Sequence, residues 1–197
     1  MIDRRGFLGA GLAGLAMASV PAQARAAATI DSRLRERALG ALARHRSQVK
    51  HADVIGIADY SRPSGDKRFH LLDVASGAVT SLLVAHGRGS DPAHSGWLKR
   101  FSNDPGSNAS CDGALLTSNE YVGQHGRSMR LIGLDPQNSN ALSRAIVVHS
   151  APYVSADMAQ GLGKVGRSLG CFTVTKQDLA QVIDRLGPGR LLYSDKV

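Results

Sequence analysis

Two cysteines, Cys111 and Cys171, and a single tryptophan stand in a chain of 197 residues, and aromatic side chains make up only 5% of it. Single-stranded nucleic acid needs aromatic stacking platforms, and here aromatics are sparse and the Lys and Arg residues are scattered. No nucleic acid is therefore expected as a partner. No apolar run reaches the roughly 20 residues of a membrane-spanning helix. Neither H-E-x-x-H nor C-x-x-C occurs. A zinc peptidase would have to gather His70, His86, His94, His125 and His149 from distant positions, and no metal or other cofactor is called for by spacing. Internal repeats, heptads and low-complexity linkers are also missing, so one domain is expected.

What is present begins with Arg4-Arg5, then an apolar run from Gly6 to Val20, then Pro21 and the small residues Ala22, Ala24 and Ala26. A charged start, a short apolar stretch and small-residue cleavage sites make residues 1–26 a twin-arginine-type signal peptide, with the remaining chain, 27–197, exported to the periplasm or cell envelope. No stable membrane span is expected after cleavage. The formal charge of +8 falls by two when Arg4, Arg5, Arg25 and Asp3 are removed. A basic exported protein suits an anionic partner such as a wall polymer or a membrane surface.

Asp31 can cap a helix over residues 31–49, because Leu34, Ala38, Leu39 and Leu42 follow helical spacing. The pattern then changes to short apolar runs bounded by turn residues: Val54–Tyr60, Phe69–Ala75, Val79–Ala85, Leu115–Thr117, Met129–Leu134 and Ala145–His149. A closing helix, Lys176–Leu186, ends at Gly187-Pro188-Gly189 before a last strand, Arg190–Tyr193. The fold class is mainly β with flanking helices.

Two nucleophiles lie three positions apart in Gly166-Arg167-Ser168-Leu169-Gly170-Cys171. The first five residues fit the G-x-S-x-G elbow of serine hydrolases. That fold needs a histidine after the serine and alternating strands and helices, and no histidine follows Ser168. A thiol needs only a spatially close base, and His149 ends an apolar run while Cys171 follows Gly161, Gly163, Gly166 and Gly170. Two cysteines in an exported chain also fit a structural disulfide, which would make the chain a stapled wall-binding module.

The stretch Ile146-Val147-Val148-His149-Ser150, followed by Arg167-Ser168-Leu169-Gly170-Cys171, resembles the signature of the L,D-transpeptidases, the YkuD-type family. Ile57-Ala58-Asp59-Tyr60-Ser61, Val84 to Ser90, Phe101-Ser102-Asn103, and Tyr121-Val122-Gly123 through Gly133-Leu134 add to the resemblance, which runs from about residue 50 onward. It implies a β-sandwich or barrel, Cys171 as nucleophile, His149 as base, and peptidoglycan stem peptides as substrate. Ser150 stands where the family usually has Gly, Leu169 where it has His, and Phe172-Thr173 replace a hydrophobic-Arg pair. The substrate-binding Arg after the nucleophile does not carry over, and Arg167 is the candidate to replace it, because a guanidinium fork suits a carboxylate. Backbone N–H groups of Gly170 and Cys171 are candidate oxyanion donors. The family holds its histidine's other nitrogen with a backbone carbonyl, expected here at Ser168. His86 and Tyr153 complete the candidate stem contacts, and Cys111 is expected to be non-catalytic. The resemblance leaves open whether an amine or water resolves the thioester.

Overall fold

The computed structural model describes residues 30–197; the expected signal segment lies outside them. Three α-helices and eight strands are present: α1 (Ser32–Arg44), β1 (Val54–Asp59), β2 (Phe69–Asp73), β3 (Val79–Leu82), β4 (Gly113–Gly123), β5 (Gly126–Gly133), β6 (Val147–Ser150), α2 (Ala156–Leu162), β7 (Phe172–Val174), α3 (Leu179–Leu186) and β8 (Leu191–Asp195). The strands form one sheet in the order β3-β2-β1-β8-β4-β5-β6-β7. Only β1–β8 and β6–β7 are parallel.

The two edges of this sheet meet. Beyond β3 the chain runs on to the β7 edge, where Ala85 bridges Thr173 and Gly87 bridges Ser168. Closure removes the open edges that a sheet would otherwise present, and it brings the segment 85–88 against the Ser168–Cys171 turn.

Every residue of β1 is buried, because successive side chains serve opposite faces. Ile55 and Ile57 pack with Leu34, Ala38, Ala41 and Leu42 of α1, whereas Val54 and Ala58 join the larger cluster that includes Phe69, Leu115, Val148, Phe172 and the α3 residues Val182, Ile183 and Leu186. Asp31 caps α1, accepting from the N–H groups of Arg33 and Leu34. The helix stops at Arg44, not at residue 49: His45 leaves helical geometry and its Nε2 lies 2.9 Å from Asp135, while the turn that follows buries Val49.

Other boundaries also differ from expectation. β2 ends at Asp73, whose carboxylate caps the turn at Ser76. β6 begins at Val147 and not at Ala145, because Ala145 has φ 53° and closes a turn. β4 and β5 extend into a long hairpin around Gln124-His125, well past the expected Leu115–Thr117. The sequence reading did not include α2 or β7. No helix among the described residues is long and apolar enough to cross a membrane.

Candidate active site

Gly170 has φ 117°, and a Cβ there would sit 2.7 Å from Ile146 Cδ1 and 2.8 Å from the Ala109 carbonyl. Only glycine fits such a position. Ser168 folds the turn on itself: its Oγ donates to the Cys171 carbonyl at 2.8 Å and accepts from Gly170 N–H at 3.1 Å. The Gly170 N–H expected as an oxyanion donor is therefore occupied within the turn. Ser168 N–H donates to the His86 carbonyl, and Arg88 N–H to the Ser168 carbonyl, so the closure seam clamps the turn.

His149 lies on β6, opposite Thr173 on β7. Its Nδ1 is 3.0 Å from the Ser150 carbonyl. A carbonyl can only accept, so Nδ1 carries the proton and Nε2 of the neutral ring is an acceptor. The carbonyl that fixes the tautomer thus belongs to Ser150, not to Ser168 as expected. Thr173 Oγ1 lies 3.0 Å from Nε2 and donates to it, with Tyr153 Oη 3.3 Å behind. The ring is only 3% exposed. Burial is the main cause that lowers its pKa; the Ser150 carbonyl acts in the opposite direction, and His125 adds to the lowering. At neutral pH the imidazole is held uncharged, with Nε2 as its acceptor.

Cys171 immediately precedes β7, two residues before Thr173. Its Sγ contacts the Ala145 carbonyl at 3.6 Å. Burial pushes the thiol pKa up, while the Val147 N–H and the Arg144 guanidinium favour the thiolate. At rest the thiol is held by Ala145 and the imidazole lone pair by Thr173. Burial favours the neutral form of both thiol and imidazole. Arg144 is fixed by bonds to the Ser102 and Ala109 carbonyls and to Ser107 Oγ. It lines a cleft of about 320 Å³ with Asn108, Ser143 and Leu169.

The other expected contacts fall elsewhere. Arg167 Nη1 donates to the Asp91 and Pro92 carbonyls, which ties the nucleophile turn to the 88–96 loop; the cation felt at the sulfur is Arg144. His86 is fully buried, so it does not line a cleft. Arg68 Nη2 lies 2.8 Å from His86 Nδ1, and His86 Nε2 lies 3.3 Å from Asp91 Oδ2. Because a guanidinium only donates, His86 is the Nε2–H tautomer and gives its proton to Asp91. Burial first, then Arg68, lowers its pKa to about 4. Tyr153 reaches the site through Thr173 alone. Cys111 is fully buried with its thiol raised to about 11 by burial, and both cysteines are free. Among the described residues no three His, Cys, Asp or Glu side chains converge on a metal position.

The sequence reading did not identify Thr173, Arg144, Arg68 or Asp91 as site residues. Thr173 had one signal, its place in the position of a family arginine. Arg144 and Arg68 carry none, because their partners are distant in the chain, and Asp91, only five residues from His86, sits in a loop whose spacing does not mark a buried pair.

With this geometry in place, the L,D-transpeptidase catalytic domain family matches residues 26–194. The chain belongs to the L,D-transpeptidase catalytic domain family. Among solved structures, the helical cell shape determining protein Pgp2 from Campylobacter jejuni is 9% identical, with 85% of this chain and 57% of that one covered at a TM-score of 0.50. An L,D-transpeptidase from Mycobacterium smegmatis is 14% identical, with 73% and 59% covered at 0.45. L,D-transpeptidase 3 from Mycobacterium tuberculosis is 17% identical, with 73% and 61% covered at 0.42. This L,D-transpeptidase domain therefore spans about three-fifths of those chains. No curated protein matches its sequence.

Proposed function

We propose that this L,D-transpeptidase domain is an exported cysteine acyltransferase acting on peptidoglycan stem peptides. The observation that supports the reading is the β6–β7 pairing: His149 lies opposite Thr173, two residues after Cys171, with Nδ1 pinned on Ser150 so that Nε2 is the acceptor. Substrate entry releases the thiol from Ala145 and Nε2 from Thr173. Nε2 takes the thiol proton, and Sγ bonds to the carbonyl carbon between the third stem residue, a diamino acid, and D-Ala. The C–N bond breaks, and imidazolium returns the proton to the D-Ala amine. An acceptor amine then attacks the thioester, loses its proton to Nε2 and regenerates the thiol. Arg144, which lines the cleft with Leu169, supplies the positive charge that favours the thiolate and the developing oxyanion. The two free thiols leave a disulfide-stapled module without its staple.

Incubation with a tetrapeptide stem and a diamino acceptor, followed by mass spectrometry, tests this. Release of one D-Ala per cross-linked product is expected, with loss of at least 10³-fold in Cys171→Ala or His149→Ala, in line with removal of a nucleophile or its base. Tripeptide as the product would assign the hydrolytic alternative, an L,D-carboxypeptidase with the same residues. No D-Ala release would sink both.

A further inference from the structure

His149 is covered on one face by a residue from far along the sheet. The tip of the β4–β5 hairpin places His125 with its ring centroid 4.5 Å from that of His149 and the planes 25° apart. The tip is built for a tight approach: Gly123 pairs with Gly126, which has φ 73°, so Gln124-His125 forms a two-residue turn. His125 is itself exposed to solvent, whereas the ring beneath it is buried. Val122, three residues before it, is 83% exposed, so the hairpin tip buries little apolar surface of its own.

We propose that His125 is a positioning residue for the base: stacked on His149, it fixes the plane in which Nε2 is presented, keeps water off that face, and opposes protonation of the base. Stacking covers the face and leaves the ring edge, where Nε2 lies, open to the reacting groups. Three contacts then define the imidazole: the Ser150 carbonyl at Nδ1, Thr173 at Nε2 and His125 on the face. The titratable groups that meet this ring are His125 from the hairpin and, through Thr173, Tyr153; His125 itself has Gln124 at 3.2 Å. No carboxylate is hydrogen-bonded to either ring among the described residues. Two rings at stacking distance resist a second positive charge, so a protonated His125 disfavours a protonated His149. The same repulsion contributes to the lowered pKa of the base.

The proposal rests on His149 being the base of the reaction proposed above, and its test needs no stem peptide. His149 is titrated by NMR in the wild-type protein, His125→Phe and His125→Ala, and alkylation of Cys171 by iodoacetamide is timed at pH 8, where His149 is neutral in all three. Phe keeps the stack and removes the second charge; its His149 is expected to titrate at higher pH than in wild type. Ala removes the stack as well, and alkylation is expected to fall roughly three- to tenfold, the rate equivalent of one aromatic pair, with Phe restoring most of it. Coincident His149 titrations in wild type and His125→Phe would overturn the coupling, and equal alkylation rates in wild type and His125→Ala would overturn the positioning. Failure of D-Ala release with both results intact would sink the transpeptidase reading and leave the stack standing.

Discussion

Arg68→Met measures how much the buried Arg68–His86–Asp91 chain supports the site. Arg68 is fully buried, donates to the Val84 carbonyl from Nε and Nη2, to the Arg62 carbonyl from Nη1 and to His86 Nδ1, and lies 4.9 Å above the Tyr60 ring. Methionine fills similar length and donates nothing. The Arg62 carbonyl is partly exposed and recovers water, so two buried acceptors, Val84 O and His86 Nδ1, are left without a donor. Each costs about 1–3 kcal/mol. Relief of the guanidinium's desolvation, which holds its pKa down to about 10, offsets part of that. The net loss is about 2–4 kcal/mol, or a Tm drop of roughly 4–16 °C for a domain of this size. Thermal melting by circular dichroism reads the drop. The His86 carbonyl receives Ser168 N–H, so acylation at Cys171 should slow even well below the new Tm. Arg68→Lys, with three donors on a point charge, should fall between the two. A Tm within 1 °C of wild type for Arg68→Met would refute the claim that this network supports the seam.

Acid should destabilise the domain through His70 and His86, both lowered to about 4 chiefly by burial. The unfolded chain binds those protons first, so stability is complete above about pH 6.5 and falls as pH drops toward 4; a Tm-against-pH series checks the sign. His70 Nε2 is buried without a partner, so His70→Leu should reduce the acid slope without lowering the Tm at pH 7. Iodoacetamide should modify Cys171 in the folded protein and leave Cys111 untouched until denaturant is added, with modification sites read by peptide mapping. Gly170→Ala combines a positive φ with a Cβ against Ile146 and the Ala109 carbonyl. It should cost about 2–5 kcal/mol in denaturant melts.

The local part of the site was legible in the sequence and the long-range part was not. His149 and Cys171 stood out because the strand end, the glycine turn and the resemblance to the L,D-transpeptidase signature that singles them out are all local patterns. Arg144 acts on the sulfur because β6, which it shortly precedes, pairs directly with β7, and Arg68 reaches His86 from 18 residues away, neither of which a short window of sequence displays; Asp91 lies only five residues from His86. The outer half of the β4–β5 hairpin is solvent-exposed from Ser118 to Gly126 apart from partial cover at Ser118 and Tyr121, so it lacks the alternation that marks a half-buried strand. That concealed the segment carrying His125. Helix α2 buries no residue fully and packs only Met158 and Ala159 against its neighbours, so its apolar face is short, yet its ends were readable: Ser155 accepts from Met158 N–H, and Gly163 closes it with φ 66°. Gly161 within the helix and Gly163 and Gly166 after it weaken the helical signal of that segment. For α1 the apolar spacing was right and only its end was misplaced, because the pull of Asp135 on His45 comes from elsewhere in the fold.

The central claim, that Cys171 is the acylated nucleophile, is tested most directly by intact-mass measurement of the purified protein after brief exposure to a carbapenem, beside Cys171→Ala and Cys111→Ala. One adduct that persists in Cys111→Ala and disappears in Cys171→Ala is the predicted result. No adduct, with a mass two protons below that of the dithiol, would mean that the two cysteines are bridged and would contradict the account.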